Sequence, residues 1–182
     1  MALVSLLARL GTSDPVEPLI DIAPLIASID FARFGRAPAR FDDAELAAIN
    51  SKIVHQLDFD TVSGRLPTGV DRAVWEVIRP NLTKLGEAAD WWRVVEGPIE
   101  TTVDTADREF LTTAAGIAVS LDWHEDPWHA LTAALKTATD RTGKALFLPL
   151  RRALTGLDHG PDMKALLPLI GQARAVARLS GE

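Results

Sequence analysis

The stretch GKALFLPLRRALTGLDHGPDMKALLPLIGQARAVARL, residues 143–179, decides the reading of the fold. Its apolar residues recur at helical spacing and are interrupted near Gly156 to Gly160 and again near Gly171, which predicts two or three short helices separated by glycine turns. Outward from it, nearly every segment reads the same way. Asp126 followed by Pro127 is a strong helix start, because proline is pre-set for the first turn, and that helix is expected to close at Gly143. Asp104 or Thr105 caps a helix through Leu121. Asp71 to Glu96 is a helical stretch that Pro80, lacking an N–H, should kink or split, and Gly97 and Pro98 end it. Asp42 with Glu45 has the spacing of a capping box, and Leu46, Ile49, Ile53 and Leu57 make one apolar stripe behind it. Residues 12–40 carry four prolines and the basic string Arg33, Arg36, Arg40, and read as a connector that packs on something. Ala2 to Leu10 is a short apolar helix stopped at Gly11.

No strand-like alternation bounded by hairpin turns and no internal repeat occurs, so the expected fold class is all-α, a helical bundle. A boundary near Gly97 and Pro98 divides it into helical halves, residues 41–97 and 98–182, after a connector over residues 1–40. With 182 residues, 47% apolar and 24% charged, the composition is that of a soluble globular protein. The absence of cysteine excludes disulfides, thiolate zinc sites, iron–sulfur clusters and thiol nucleophiles. The opening MALVSLLARLG is broken by Arg9 and lacks both a basic start and a small-residue cleavage site, and no apolar run reaches membrane-spanning length. The expected location is cytoplasmic, with no membrane partner.

The net charge of −6 is unevenly spread. Residues 1–135 hold 11 Lys/Arg against 21 Asp/Glu, whereas residues 136–182 hold 8 against 4. An acidic body with a basic end argues against a nonspecific nucleic-acid coat and permits a local contact with phosphates from one face.

Enzymatic signatures are missing. His124 and His129 are five apart with Pro127 between them, so they do not share a helix face as a metal-binding H-E-x-x-H pair would. Adjacent acids such as Asp42–Asp43 and Glu125–Asp126 read as caps and solvated faces. There is no G-x-S-x-G elbow, no Walker loop and no dinucleotide fingerprint. Trp75, Trp91, Trp92, Trp123 and Trp128 could stack on bases, but their apolar neighbours favour core packing.

Specificity returns in the quoted stretch. Arg151 and Arg152, adjacent on one helix, cannot both face a core, and the Gly156 to Met163 turn offers backbone without bulky Cβ cover. Such a surface suits a splayed RNA loop, with arginine on base edges or phosphates and an apolar residue beneath a base.

Residues 143–171 closely resemble the C-terminal signature of bacterial glutamyl-tRNA synthetases, K-x-F-x-P-L-R-x-A-L-T-G-x-x-x-G-P. The likeness runs in order through ALVSLLARLGTSDPVEP and FGRAPARFDDAELAAINSKIVH, so practically the whole chain is covered. It implies the α-helical anticodon-binding cage of a class I synthetase, residues 41–97 and 98–182 being its halves and residues 1–40 a connector to the catalytic body. The resemblance places Arg151, Gly160, Pro161 and Met163 on positions that contact the anticodon, with Arg152 a base or phosphate candidate. Arg79 and Asn81 flank Pro80 where some members carry an arginine that reads the third anticodon base. With Asn81 there, the resemblance implies relaxed discrimination, so glutamine tRNA joins glutamate tRNA as an expected partner. ATP and magnesium are expected only in the catalytic domain, since the H-x-G-H and lysine-loop signatures are absent here. No cofactor, catalytic residue, metal or DNA partner is expected for this chain. The alternative is a helical protein-interaction module that docks through residues 1–30 and ignores tRNA.

Overall fold

The computed structural model describes every residue except Ala37, Thr102 and Glu182. The described residues form eleven α-helices joined by turns, with no strand among them. They are α1 (Ala2–Arg9), α2 (Ala23–Ser28), α3 (Asp43–Val54), α4 (Phe59–Val62), α5 (Arg72–Ile78) and α6 (Ala88–Glu96). There follow α7 (Arg108–Ser120), α8 (Pro127–Ala138), α9 (Lys144–Thr155), α10 (Met163–Ile170) and α11 (Gln172–Ser180). The all-α expectation holds, and no helix is long and apolar enough to cross a membrane.

The backbone groups into two compact units, Met1–Ala88 and Ala89–Glu182. The Gly97–Pro98 turn lies inside the second, because hydrogen bonds and packing tie α6 to the helices that follow. The Gly97 carbonyl accepts from Arg178 of α11 at 2.8 Å.

In the first unit, α1 lies against α3 through Ala2, Leu6, Ile49 and Ile53, with Val16 and Leu46 at the margin. Asp42 caps α3 by accepting from the backbone N–H groups of Ala44 and Glu45. The predicted stripe is shorter than expected, since α3 ends at Val54 and Leu57 falls in the loop beyond it. Pro80 splits its stretch rather than kinking it. After α5, Arg79–Asn81 turns as a 3-10 helix, and Leu82 sinks into the core at 0% exposure. Side chains of α3 then hold the strap that follows. Asn50 donates to the Thr83 carbonyl, while Ser51 and His55 both donate to that of Leu82.

The second unit is a bundle in which α11 packs on α7, α9 and α10, and α8 packs on α7, α9 and α10. Ala114 and Ala118 on α7 and Ala175 on α11 are fully buried, and their small side chains let these two helices approach closely. Leu131, Leu135, Leu146, Leu150, Leu154, Leu166 and Leu167, all fully buried, fill the space between the others. Asp126 caps α8 as expected, accepting from the His129 N–H. That helix stops at Ala138, before Gly143, because Thr139 turns extended and folds its own N–H and hydroxyl back onto the Leu135 carbonyl. Gly143 instead opens α9. Pro149 sits inside α9, where its missing N–H frees the Ala145 carbonyl to receive Arg141 at 3.4 Å.

The tryptophans divide. Trp75 is wholly buried, but Trp91, Trp92, Trp123 and Trp128 are only half-buried, so full core packing holds for one of the five. Among the described residues, no three histidines or carboxylates lie close enough to hold a metal ion together.

Candidate nucleic-acid interface

The turn between α9 and α10 is held by its own hydrogen bonds. α9 ends where Gly156 adopts φ +73°, its N–H bonded to the Arg152 carbonyl at 2.8 Å. The Thr155 hydroxyl donates to the Arg151 carbonyl at 2.7 Å and accepts the Leu157 N–H at 3.1 Å, which fixes the first residue after the cap. Asp162 closes the far side by capping α10 at the Lys164 N–H.

Two arginines brace this turn in different ways. Arg151 is half-buried, and both its Nη atoms donate to the Pro161 carbonyl at 3.0 Å. Burial pushes its pKa down and the nearby Asp162 carboxylate opposes that shift. Arg152 makes a forked pair with Asp158, Nε to Oδ1 at 2.5 Å and Nη2 to Oδ2 at 2.8 Å. That planar, two-point geometry belongs to arginine and not to lysine. At the other end Gly160 has φ +141°, and a Cβ there would stand 2.2 Å from Cη2 of Trp91. The indole of α6 is therefore the floor beneath the turn.

Of the residues singled out for the anticodon, Arg151, Arg152, Gly160, Pro161 and Met163 are thus brought together here. Their side chains do not all face outward. Pro161 is buried and Met163 is only 2% exposed, because both anchor the start of α10 in the core. The exposed positions are Gly156, Leu157, Asp158, His159 and Asp162. Sequence reasoning included Thr155 in this turn but overlooked Trp91 and gave Leu157 no role. Its glycines were the available signal of a close approach, although nothing in the chain pairs Gly160 with Trp91. Beside the turn, Arg141, Lys144 and Arg152 line a groove of about 580 Å³ with Asp107, which pairs with Arg141 at 2.5 Å.

In the first unit, Arg79 and Asn81 flank Pro80 in the turn after α5. Arg79 donates to the Leu57 carbonyl at 2.9 Å and pairs with Glu76 at 2.6 Å. Trp75 Nε1 reaches the same carbonyl at 3.1 Å, so Arg79 is engaged in holding the loop after α3. Pro80 and Asn81 are exposed.

The carboxylates that cap and brace both units carry a pH signature. Asp58 is held below the ordinary carboxylate range chiefly by its hydrogen bonds from Thr61. Asp126 is lowered chiefly by the His129 N–H and then by Lys164, and Asp158 by the Arg152 fork. A folded-state pKa below the unfolded value means that the folded chain binds fewer protons. The associated stabilisation is present above the ordinary Asp range and disappears as pH falls through the lowered values. Urea midpoints should therefore drop on acidification from neutral pH towards about pH 3, with a shallower dependence in an Asp126→Asn, Asp158→Asn double variant.

Residues 39–181 match the family model described as "Anticodon binding domain". The chain belongs to the anticodon-binding domain family. Among similar proteins, "Glutamate--tRNA ligase 2" of Sphingopyxis alaskensis is 64% identical over 99% of this chain, which corresponds to 41% of that protein. "Glutamate--tRNA ligase 1" of Zymomonas mobilis is 52% identical over 98% of the chain and 40% of its own length. The chain thus spans about two fifths of the relatives it matches, and its likeness to the anticodon-binding region of glutamyl-tRNA synthetases is borne out. A solved glutamate–tRNA ligase structure from Elizabethkingia meningosepticum superposes with a TM-score of 0.78 over 99% of this chain and 40% of that one. At 16% identity, that likeness shows a shared fold.

Proposed function

We propose that this anticodon-binding domain reads tRNA for a glutamate–tRNA ligase whose catalytic part lies outside these residues. The observation that carries the reading is the family match over residues 39–181, in a chain more than half identical to several such ligases. The turns holding Arg151, Arg152, Gly160, Pro161 and Met163 in one unit and Arg79 and Asn81 in the other are its anticodon-facing parts. Phosphate contacts to nearby cations position the RNA, and unstacked bases are checked at the turns. Adenylate formation, with ATP and magnesium, belongs to the catalytic part. The ligase acts in the cytoplasm.

Residues 1–40 are the connector that packs on the catalytic body. Leu7, Ile20, Ile26 and Phe31 there are 50%, 53%, 63% and 84% exposed, an apolar cover suited to another protein surface. The same residues suit the rival reading of a protein-interaction module, and tRNA binding separates the two. In a low-salt titration, the chain should bind glutamate tRNA more tightly than an anticodon-scrambled control, with affinity falling steeply as salt rises. Equal binding of glutamine tRNA would support relaxed discrimination at Asn81. Indifference to the anticodon would sink the proposal.

A further inference from the structure

We infer that Arg9 is a positioning residue that latches residues 12–34 into one shape, so that their outward apolar side chains present a preformed docking face to the catalytic part of the ligase. This inference rests on the glutamate–tRNA ligase reading. On α1, Ala2, Ser5, Leu6 and Arg9 share one helical face. Ala2, Ser5 and Leu6 are buried, Ala2 and Leu6 against α3, and Arg9 continues that inward face with a side chain only 10% exposed. Leu3 and Leu7 lie on the other face and are 48% and 50% exposed. A charge is turned in and leucines are turned out, the reverse of a helix whose outer face meets only water.

The Arg9 guanidinium holds both ends of the segment that follows. At the end of α2, Nη1 donates to the Ser28 carbonyl at 3.2 Å and Nη2 donates to the Ser28 hydroxyl. The same Nη1 lies 3.7 Å from the Asp14 carboxylate, which is 11% exposed and pairs through its other oxygen with Arg33. Apolar anchoring is slight by comparison. From Leu19 to Phe34, Leu25 alone is buried, while Ile26 and Phe31 are 63% and 84% exposed. A segment held by a polar cross-link with its apolar residues outward is shaped for a partner, because fixing the shape beforehand lowers the ordering cost of docking. The occupant is the rest of the ligase. Residues 1–38 lie outside the matched anticodon-binding family model, yet 99% of the chain matches the Sphingopyxis ligase, of which it spans 41%. The latched segment thus goes with the ligase and not with the anticodon-binding fold, and its apolar face fits the larger remaining body.

The test compares this chain alone with a whole ligase in which it is joined to the catalytic part of the Sphingopyxis alaskensis relative, by hydrogen exchange and by aminoacylation of glutamate tRNA. In the chain alone, Arg9→Met should speed exchange at the Ile29, Arg33 and Phe34 amides about tenfold and leave the α3 amides and the unfolding midpoint unchanged. Arg9→Lys should resemble Met, because one ammonium does not span Ser28 and Asp14 together. Ser28→Ala, which removes only the hydroxyl limb, should act in the same direction by a smaller factor. In the joined ligase, the wild-type chain should gain protection over residues 19–34. Arg9→Met should lose that gain and about tenfold in kcat, with KM for tRNA unchanged because the turns of the second unit are intact. Phe31→Ser, outside the latch, should leave exchange in the chain alone unchanged and reduce protection only in the ligase. Unaltered exchange in the Arg9→Met chain, or wild-type protection and kcat in the Arg9→Met ligase, would overturn the latch and leave the connector reading standing. A wild-type ligase with no added protection over residues 19–34 would overturn the connector reading and this inference with it.

Discussion

Gly160→Ala is expected to destabilise the chain by about 4 kcal/mol and to abolish anticodon preference. Two independent costs combine. The backbone at φ +141° is one that residues with a Cβ rarely adopt, a strain worth ~1–3 kcal/mol. The added carbon would also stand 2.2 Å from Cη2 of Trp91, a rigid ring that must move as a whole, with an overpacking cost of ~1–3 kcal/mol. Urea denaturation measures the sum, and a double-mutant cycle with Trp91→Leu separates the parts. Trimming the indole should recover the steric share and leave the backbone share. Gly116→Ala provides the contrast, since no atom lies within 4 Å of a Cβ at that helical position. It should be neutral or stabilising by about 0.5–1 kcal/mol. Equal losses at Gly116 and Gly160 would show that the close approach to Trp91 does not govern the turn.

The second large effect is expected at Arg178. This arginine of α11 is 8% exposed, and burial depresses its pKa, with the neighbouring Arg174 adding to the shift. Its partners are backbone carbonyls. Nη1 donates to Leu154 in the last turn of α9 at 2.7 Å, and Nη2 to Gly97 just past α6 at 2.8 Å. Carbonyls at helix C-termini have no partner within their own helix and carry the negative end of the helix dipole. One guanidinium thus satisfies the ends of two helices. Arg178→Met keeps much of the apolar stem and removes the cost of a buried charge, which works in the variant's favour. It also leaves two acceptors without a charged donor, at ~1.5–3 kcal/mol for each such bond. The loss dominates, and a net destabilisation of about 2–3 kcal/mol is expected in urea melts. Arg178→Lys should fall between wild type and Met, because a single ammonium does not span both carbonyls. A Met variant as stable as wild type would show that these carbonyls find other donors.

The local grammar of the chain is legible wherever one residue acts on its immediate neighbours. Asp42 and Asp126 cap the helices that follow them, and Pro80 ends α5, because each effect spans a single turn. Gly143 misled for the same reason. A glycine signals a left-handed backbone but not which helix it serves, and Thr139 had already ended α8 through its bonds to Leu135. The tryptophans show another limit. Their type guarantees a large apolar surface, but whether Trp75 is engulfed and Trp91 only half covered depends on what packs over them.

For the candidate site, the residues between Arg151 and Met163 were enough to locate the turn and to suggest RNA, since their types and order carry the resemblance. Side-chain direction was not legible. Arg151 looks like a free cation in the sequence, yet the fold brings the Pro161 carbonyl within 3.0 Å of both Nη atoms. Met163 looks like a surface residue after a turn, yet α10 rotates it into the core. The sequence by itself determined the helical class, the caps and breaks, and the place of the turn between α9 and α10, because periodicity, proline and glycine act over one or two helical turns. Only the tertiary structure decided which helices share a core, what lies beneath Gly160 and which side chains remain outward. Those depend on contacts between residues distant in the chain, to which no local pattern is bound.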